Sequence, residues 1–226
     1  MRPDISFGKD VVPVLRNLLG DPKNRAGFEF MRAIGAFPER GYYDSNMPSP
    51  WLFGNMFFAT FAAAELSTRA GGNPAQSARD GYRLPEAEMA RLSAVGADVA
   101  GLLGALNAPA RRVDPAPAAR AYLEKNYTPT GKLTIPTLSM HAIHDGFAPT
   151  SNETVFAARV ERAGQSDLLA TAYTDVVGHN AFSVQQMLTA FTALDTWIAT
   201  GTKPSPTVFP SAEGFVSDYR PPQWPR

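Results

Sequence analysis

The chain has 226 residues, 44% of them hydrophobic, and it balances 21 basic against 21 acidic side chains. This length suits one large domain or a domain with an appendage. A nucleic-acid partner is not expected, because binding to a phosphate backbone needs clustered basic side chains and no run of like charge is present. The chain has no cysteine, which excludes disulfides, thiolate catalysis and cysteine-based zinc sites.

The sequence predicts neither a signal peptide nor a membrane partner. Charged residues such as Asp4, Lys9 and Arg16 interrupt the apolar region that a signal peptide would need. The longest apolar stretch, residues 51–66, is shorter than the roughly 20 residues of a membrane-spanning helix. The compartment stays open, because many exported bacterial proteins also lack cysteine.

The first half of the chain is predicted to be helical. Residues 52–66 are apolar on nearly every face, and a helix of that kind must be covered by other protein. Gly71, Gly72 and Pro74 form a typical helix C-terminus after it.

A second helix is predicted over residues 84–108, with a short third one over 118–125. Apolar residues recur from Met89 to Leu106 in alternating steps of three and four, which is the spacing of one helix face. Pro85 is expected to open that helix. These elements assign residues 1–127 to a mainly helical region.

The pattern changes beyond residue 127. Residues 135–140 and 168–177 are predicted to be buried strands, and capping-box patterns at residues 150–153 and 183–186 predict a helix after each strand. The order strand, helix, strand, helix is typical of parallel α/β units. The proline-rich segment 203–226 is expected to cross the surface in an extended form.

All three histidines lie in two short pieces, IPTLSMHAIHDGFAP (135–149) and DVVGHNAFS (175–183). Asp145 and His179 each follow a predicted strand directly. Functional groups of parallel sheets gather at the carboxyl ends of the strands, so neighbouring strands would bring these two side chains into one crevice. An aspartate there can accept the Nδ1–H of the imidazole, and the other ring nitrogen can then act as a general base.

Simpler alternatives remain for the same residues. Asp145 could cap a backbone amide, and His179 could be a loop histidine without a role. A metal cluster of His141, His144, Asp145 and His179 is disfavoured, because residues three apart on a strand face opposite sides. We expect His141 to hold the strand end by a hydrogen bond and His144 to be exposed, and we predict no metal and no cofactor.

Several segments resemble parts of the α/β-hydrolase superfamily. Residues 135–149 resemble the seventh-strand segment, where a proline-led strand ends in an HGxxD-type turn that holds the acid of the catalytic triad. Residues 178–183 resemble the later loop that holds the triad histidine, and residues 193–204 resemble the last helix. Residues 69–74 and 121–133 are similar to the helical insert of a group of bacterial serine hydrolases.

This resemblance implies an α/β fold class, with the last parallel strands and helices of an α/β-hydrolase fold preceded by a mainly helical cap insert. Residues 128–202 would be the C-terminal hydrolase segment, in which Asp145 is the triad acid and His179 the general base. Ala142 stands where glycine is common in that group, and Asn180 stands where cysteine is frequent. Neither difference touches the chemistry.

The nucleophile elbow G-x-S-x-G, which should precede the acid in chain order, does not occur in the sequence. The early strands of the fold are also missing. The resemblance therefore implies a truncated, C-terminal part of an esterase-like serine hydrolase for ester or amide substrates, expected to be inactive alone. The alternative is a non-catalytic helical binding or interaction module with a relic hydrolase end.

Two further expectations concern apolar surfaces. Trp51, Phe57 and Phe61 could line a substrate pocket, although core or cap packing is the preferred interpretation. An incomplete parallel sheet would leave one strand edge unpaired, and such an edge favours self-association.

Overall fold

A computed structural model describes residues 6–41, 43–44, 47–48 and 50–223 of the protein. Within these residues the chain is mixed helix and sheet. It divides into two compact units. Residues 6–36 and 43–128 form what we call the helical unit, and residues 37–41 and 129–223 form the sheet unit.

The helical unit consists mainly of α-helices joined by short turns. Its described helices are α1 (Val12–Gly20), α2 (Arg25–Ile34), α3 (Pro50–Phe57), α4 (Ala63–Ala70), α5 (Glu86–Ala94), α6 (Val99–Asn107) and α7 (Pro117–Asn126). Two very short strands, β1 (Tyr43–Asp44) and β2 (Met47–Pro48), pair in antiparallel fashion. The predicted short helix at 118–125 is confirmed by α7.

The apolar segment predicted as one helix is helical from α3 to α4. A π-helical stretch, Phe58–Ala62, joins the two α-helices. The run ends where the sequence predicts, because Gly71 adopts the left-handed conformation with φ of 72°. The Gly72 amide then donates to the Ser67 carbonyl over 2.9 Å, which satisfies a carbonyl of the last turn.

The single helix predicted over residues 84–108 is wrong: the structure has α5 and α6, bent by 119°. Gly96 has φ of 86°, a conformation that glycine adopts without steric cost and that stops α5. The Asp98 side chain then accepts a hydrogen bond from the Gly101 amide and starts α6. The regular apolar spacing continues through the turn between α5 and α6, because Leu92 and Val99 are both buried in the core of the helical unit.

No single helix within the described residues is long and apolar enough to cross a membrane. Among these residues, only α5 and α6 taken together have the length and apolar composition of a membrane-spanning segment, and they are sharply bent relative to each other. Leu92 is fully buried and Val99 is 6% exposed. The core that contains them also holds Phe30, Ala33 and Ala97.

The sheet unit is built on two parallel strands, β3 (Thr137–His144) and β4 (Leu169–Val177). A helix follows each strand: α8 (Ser151–Arg162) follows β3, and α9 (Val184–Thr200) follows β4. The predicted order of elements and the parallel pairing are confirmed. β3 begins two residues later than predicted and continues to His144, so His141 lies within the strand.

One of the two predicted capping boxes is present. At the start of α9, the Ser183 hydroxyl and the Gln186 side chain each accept from the other residue's backbone amide. The box predicted at Thr150 and Glu153 is wrong, although α8 does begin there. The Thr150 hydroxyl instead contacts the Tyr219 hydroxyl at 2.9 Å, and Glu153 faces β3.

The proline-rich segment after residue 203 packs against β4. The Val216 amide donates to the Tyr173 carbonyl, and the Asp175 amide donates to the Gly214 carbonyl, each over 2.9 Å. Phe215 is 3% exposed and packs with Phe209 and Ala172. The segment thus departs from the extended surface path that we expected, since it covers part of one edge of β4.

Candidate acid–base site at the strand ends

β3 and β4 end side by side, and the turns after them carry Asp145 and His179. The Gly178 amide donates a 3.1 Å hydrogen bond to the His144 carbonyl, which ties the two strand ends together. Gly178 has φ of 120°, a backbone conformation that other residues rarely adopt. The sequence and the turn geometry thus place both side chains at one end of the sheet.

Asp145 and His179 lie within the hydrogen-bond distance that the sequence predicts. Their closest atoms, Asp145 Oδ2 and His179 Nδ1, are 2.8 Å apart. An ionised carboxylate only accepts hydrogen bonds, so Nδ1 carries the proton and donates it to this contact. In the neutral ring, Nε2 then keeps a free lone pair.

The Asp145 carboxylate is held by the turn that follows it. Its Oδ1 accepts from the backbone amides of Phe147, over 2.7 Å, and of Ala148, over 3.0 Å. Asp145 is only 4% exposed. With His179, three N–H groups converge on one buried carboxylate and fix its orientation.

The His179 ring is bounded by two neighbours. The Phe147 ring lies against it with the centroids 5.4 Å apart. The Asn180 Nδ2 is 3.2 Å from Nε2, where an amide N–H can donate to the free lone pair. The side chain of His179 is 41% exposed, so solvent reaches part of the ring.

A general base of this type acts on a nucleophile, and the described residues supply none at the ring. The recorded hydrogen bonds of His179 go to Asp145 and Asn180, and no hydroxyl of the described part of the chain is among them. The site within the described residues therefore consists of a histidine and the carboxylate that orients its ring.

His141 lies beside this site but is used differently. Its Nδ1 is 3.2 Å from Glu153 Oε1, and its Nε2 is 2.9 Å from the Ala148 carbonyl oxygen. The expected hydrogen bond is present, and Glu153 is a partner that the sequence analysis missed. The only sequence signal was the acidic residue in the first turn of α8, which was assigned to a capping box.

His144, predicted to be exposed, is instead partly buried, with 19% of its side chain accessible. Its Nε2 lies 2.9 Å from Asp175 Oδ1, which also accepts from Arg40 Nη1 at 2.8 Å. The hydrogen bond from Arg40 lowers the pKa of Asp175, and the one from His144 adds to this effect. His144 thus belongs to a cluster with Asp175 and Arg40, whereas His141 belongs to a separate one with Glu153.

No group of three or more His, Asp or Glu side chains in the described residues is arranged to hold a metal ion. Both ring nitrogens of His141 and the Nε2 of His144 are already engaged by oxygen acceptors. The described histidines are therefore committed to hydrogen bonds with protein groups.

The three aromatic residues considered for substrate binding belong to the helical unit. Phe57 and Phe61 stack on each other with ring centroids 5.9 Å apart, and Phe7 meets both rings edge-on at 5.3 and 5.5 Å. Trp51 is partly buried on α3. These contacts are packing contacts within the helical unit, and a role in substrate binding stays a prediction.

Comparisons of the protein with models of known families, with curated proteins and with solved structures found no match.

Proposed function

We propose that residues 128–202 are the acid-bearing and base-bearing part of an α/β-hydrolase fold, and that they serve the hydrolysis of an ester or amide. The observation that carries the proposal is the 2.8 Å contact between Asp145 Oδ2 and His179 Nδ1 at the carboxyl ends of adjacent parallel strands. The nucleophilic serine would come from outside these 226 residues, which contain no G-x-S-x-G motif.

The chemistry follows from the protonation pattern. His179 Nε2 takes the proton of the serine hydroxyl as that oxygen attacks the substrate carbonyl carbon. Asp145 keeps the other nitrogen protonated and stabilises the imidazolium that forms. The imidazolium then gives its proton to the leaving alcohol or amine, and an acyl-enzyme remains. In the second half-reaction, water loses a proton to Nε2 and attacks the acyl carbon. The imidazolium then returns that proton to the serine oxygen as the acyl–oxygen bond breaks, and the carboxylic acid is released.

The open side of the sheet supports the proposal. β3 pairs with β4 on one side, and no other strand in the described part of the chain pairs with its second side. On α9, which contacts β3, a row of apolar side chains faces solvent: Val184, Met187, Leu188, Phe191 and Ile198. The first four stand at positions i, i+3, i+4 and i+7, so they form one helix face. A sheet that continues past β3 would give both surfaces a partner.

The test is to supply the missing part. The coding region ahead of the Met1 codon is sequenced, and any in-frame G-x-S-x-G segment is expressed with residues 1–226. We expect the combined protein to hydrolyse p-nitrophenyl esters. We further expect His179→Ala to reduce kcat by at least about a thousandfold, since triad members act as a unit.

His144→Gln is the matched control, because His144 is the last residue of β3, next to Asp145 in the chain, but its side chain bonds to Asp175 rather than to Asp145. It should leave kcat within a few-fold of the unsubstituted protein. The absence of any such coding segment, or full activity in the His179→Ala variant, would contradict the proposed function.

A further inference from the structure

His141 is a buried histidine with an oxygen acceptor at each ring nitrogen. It is 9% exposed. Glu153 Oε1 faces Nδ1 at 3.2 Å, and the Ala148 carbonyl faces Nε2 at 2.9 Å. Neither acceptor has a proton to give when Glu153 is ionised. A neutral imidazole would therefore direct one lone pair at an oxygen atom, whereas an imidazolium donates to both.

Glu153 is placed to balance that charge. Its Oε2 accepts a hydrogen bond from the Ser139 hydroxyl over 3.0 Å, and 15% of its side chain is exposed. The pair thus links β3 to the first turn of α8. A buried cation held between a carboxylate and a carbonyl keeps its position, because loss of either partner would leave a buried charge without compensation.

Ala148 connects this pair to the acid–base site. Its carbonyl accepts from His141 Nε2, and its amide donates to Asp145 Oδ1 over 3.0 Å. One residue of the turn is therefore held by His141 on one side and holds Asp145 on the other. The position of Asp145 Oδ2, which faces His179, depends on this short chain of contacts.

We propose that His141, as an imidazolium paired with Glu153, is a positioning residue that fixes the turn of Asp145 and so selects the His179 ring form with its proton on Nδ1. This inference rests on the proposed function for its catalytic consequence, while its structural content concerns this chain alone.

The electrostatic surroundings agree with the geometry. Burial by itself disfavours the charged ring, but the hydrogen bonds to Glu153 and to the Ala148 carbonyl outweigh it, and the pKa of His141 is raised. Two titratable groups act on the ring, Glu153 from α8 and Asp145 from the turn, and Tyr173 on β4 is the residue paired with His141 in the strand register. The two carboxylates favour the cation, and a neutral tyrosine does not oppose it.

The experiment is a nitrogen NMR titration of the ring signals in the ¹⁵N-labelled 226-residue chain. In the unsubstituted protein, we expect both nitrogens of His141 to stay protonated to a higher pH than in a free histidine. We expect neutral His179 to carry its proton on Nδ1. In Glu153→Gln and in His141→Gln, the ratio of the Nδ1–H to the Nε2–H form of His179 should fall by about tenfold, since a hydrogen bond to a charged group has been lost.

Two matched controls accompany these variants. Glu161→Gln neutralises an exposed carboxylate on the same helix, and His144→Gln removes a histidine that bonds to Asp175. Neither should change the His179 ratio. A melting temperature recorded for every variant separates general destabilisation from the selective effect on the ring.

The outcomes are distinct. A single protonated nitrogen on His141 at all pH values near neutrality would overturn the proposal, as would an unchanged His179 ratio in folded Glu153→Gln. If His141→Gln does not fold, the proposal is still tested by the titration of the unsubstituted chain and by the His179 ratio in Glu153→Gln. Correct ring forms together with an inactive reconstituted enzyme would instead refute the proposed function and leave the positioning role intact.

Discussion

The Gly178 amide donates a 3.1 Å hydrogen bond to the carbonyl oxygen of His144, across the carboxyl ends of β3 and β4. The residues that follow these two groups along the chain are Asp145 and His179. One backbone contact therefore brings the two turns together and sets the distance between the carboxylate and the ring.

Gly178→Ala should lower the free energy of unfolding of the sheet unit by about 1–3 kcal/mol, because φ of 120° is strained for alanine. It should also weaken the Asp145–His179 contact. Gly104→Ala is the contrasting variant: Gly104 lies inside α6, and a Cβ there meets nothing within 4 Å. That change should stabilise the helical unit by about 0.5–1 kcal/mol. Urea unfolding measures both, and equal effects would contradict the assigned role of Gly178.

The 226-residue chain alone should not turn over p-nitrophenyl esters faster than a variant with Asp145→Asn and His179→Ala. The reason is that no hydroxyl of the described residues hydrogen-bonds to His179. Initial rates with both proteins at equal concentration give the answer. Turnover that a serine-directed fluorophosphonate abolishes would reveal a nucleophile within these residues.

The two histidine–carboxylate pairs of the sheet unit should differ in their contribution to stability. Glu153→Gln breaks a largely buried pair and should cost about 3 kcal/mol. Asp175→Asn breaks a contact in which Asp175 and Arg40 are 48% and 58% exposed, so its cost should stay below about 1 kcal/mol. Denaturant unfolding at neutral pH compares them, and a reversed order would show that Glu153 is not held as described.

The same pairs should respond to pH in opposite directions. The folded-state pKa of His141 is raised above 6.5, so its contribution to stability is complete below that value and is lost as the pH rises through the raised pKa. The pKa of Asp175 is lowered from 3.8, so its contribution is complete above that value and is lost as the pH falls through the lowered pKa.

The free energy of unfolding should therefore decline on the alkaline side of 6.5, and the decline should be smaller in Glu153→Gln. His144→Gln should keep the decline, because His144 belongs to the other pair. If the free energy of unfolding of Glu153→Gln declined by the same amount at alkaline pH, the pH dependence could not be assigned to His141.

Self-association is expected through the open edge of β3 and the exposed apolar face of α9. Phe191 is 69% exposed at the centre of that face. Phe191→Glu should shift the chain toward monomer in sedimentation velocity and reduce binding of the dye ANS, because it places a charge in the apolar patch. Thr196→Glu adds the same charge off that face and should have little effect. A monomer that binds no dye before any substitution would contradict the expectation.

Much of the local structure was determined by the sequence alone. The helix ending at Gly71, the capping box of Ser183 and Gln186, and the alternation of strands and helices beyond residue 127 are set by short-range chemistry. Each of these features depends only on residues close together in the chain. A glycine in the left-handed conformation ends a helix, a hydroxyl caps a nearby backbone amide, and a short apolar run forms a buried strand. For the same reason, the positions of Asp145 and His179 directly after strands could be predicted.

Other features were decided only by tertiary structure, because they depend on residues distant in the chain. Glu153 has the spacing of a capping residue, but His141 on the neighbouring strand offers it a charged partner, and it turns away from the helix end. His144 is partly buried, and its partner Asp175 on β4 lies 31 residues away in the chain. The segment near Phe215 leaves its extended path because β4 offers both an unpaired edge and an apolar face. In each case a long-range contact outweighs the local preference, and no pattern of a few residues contains that information.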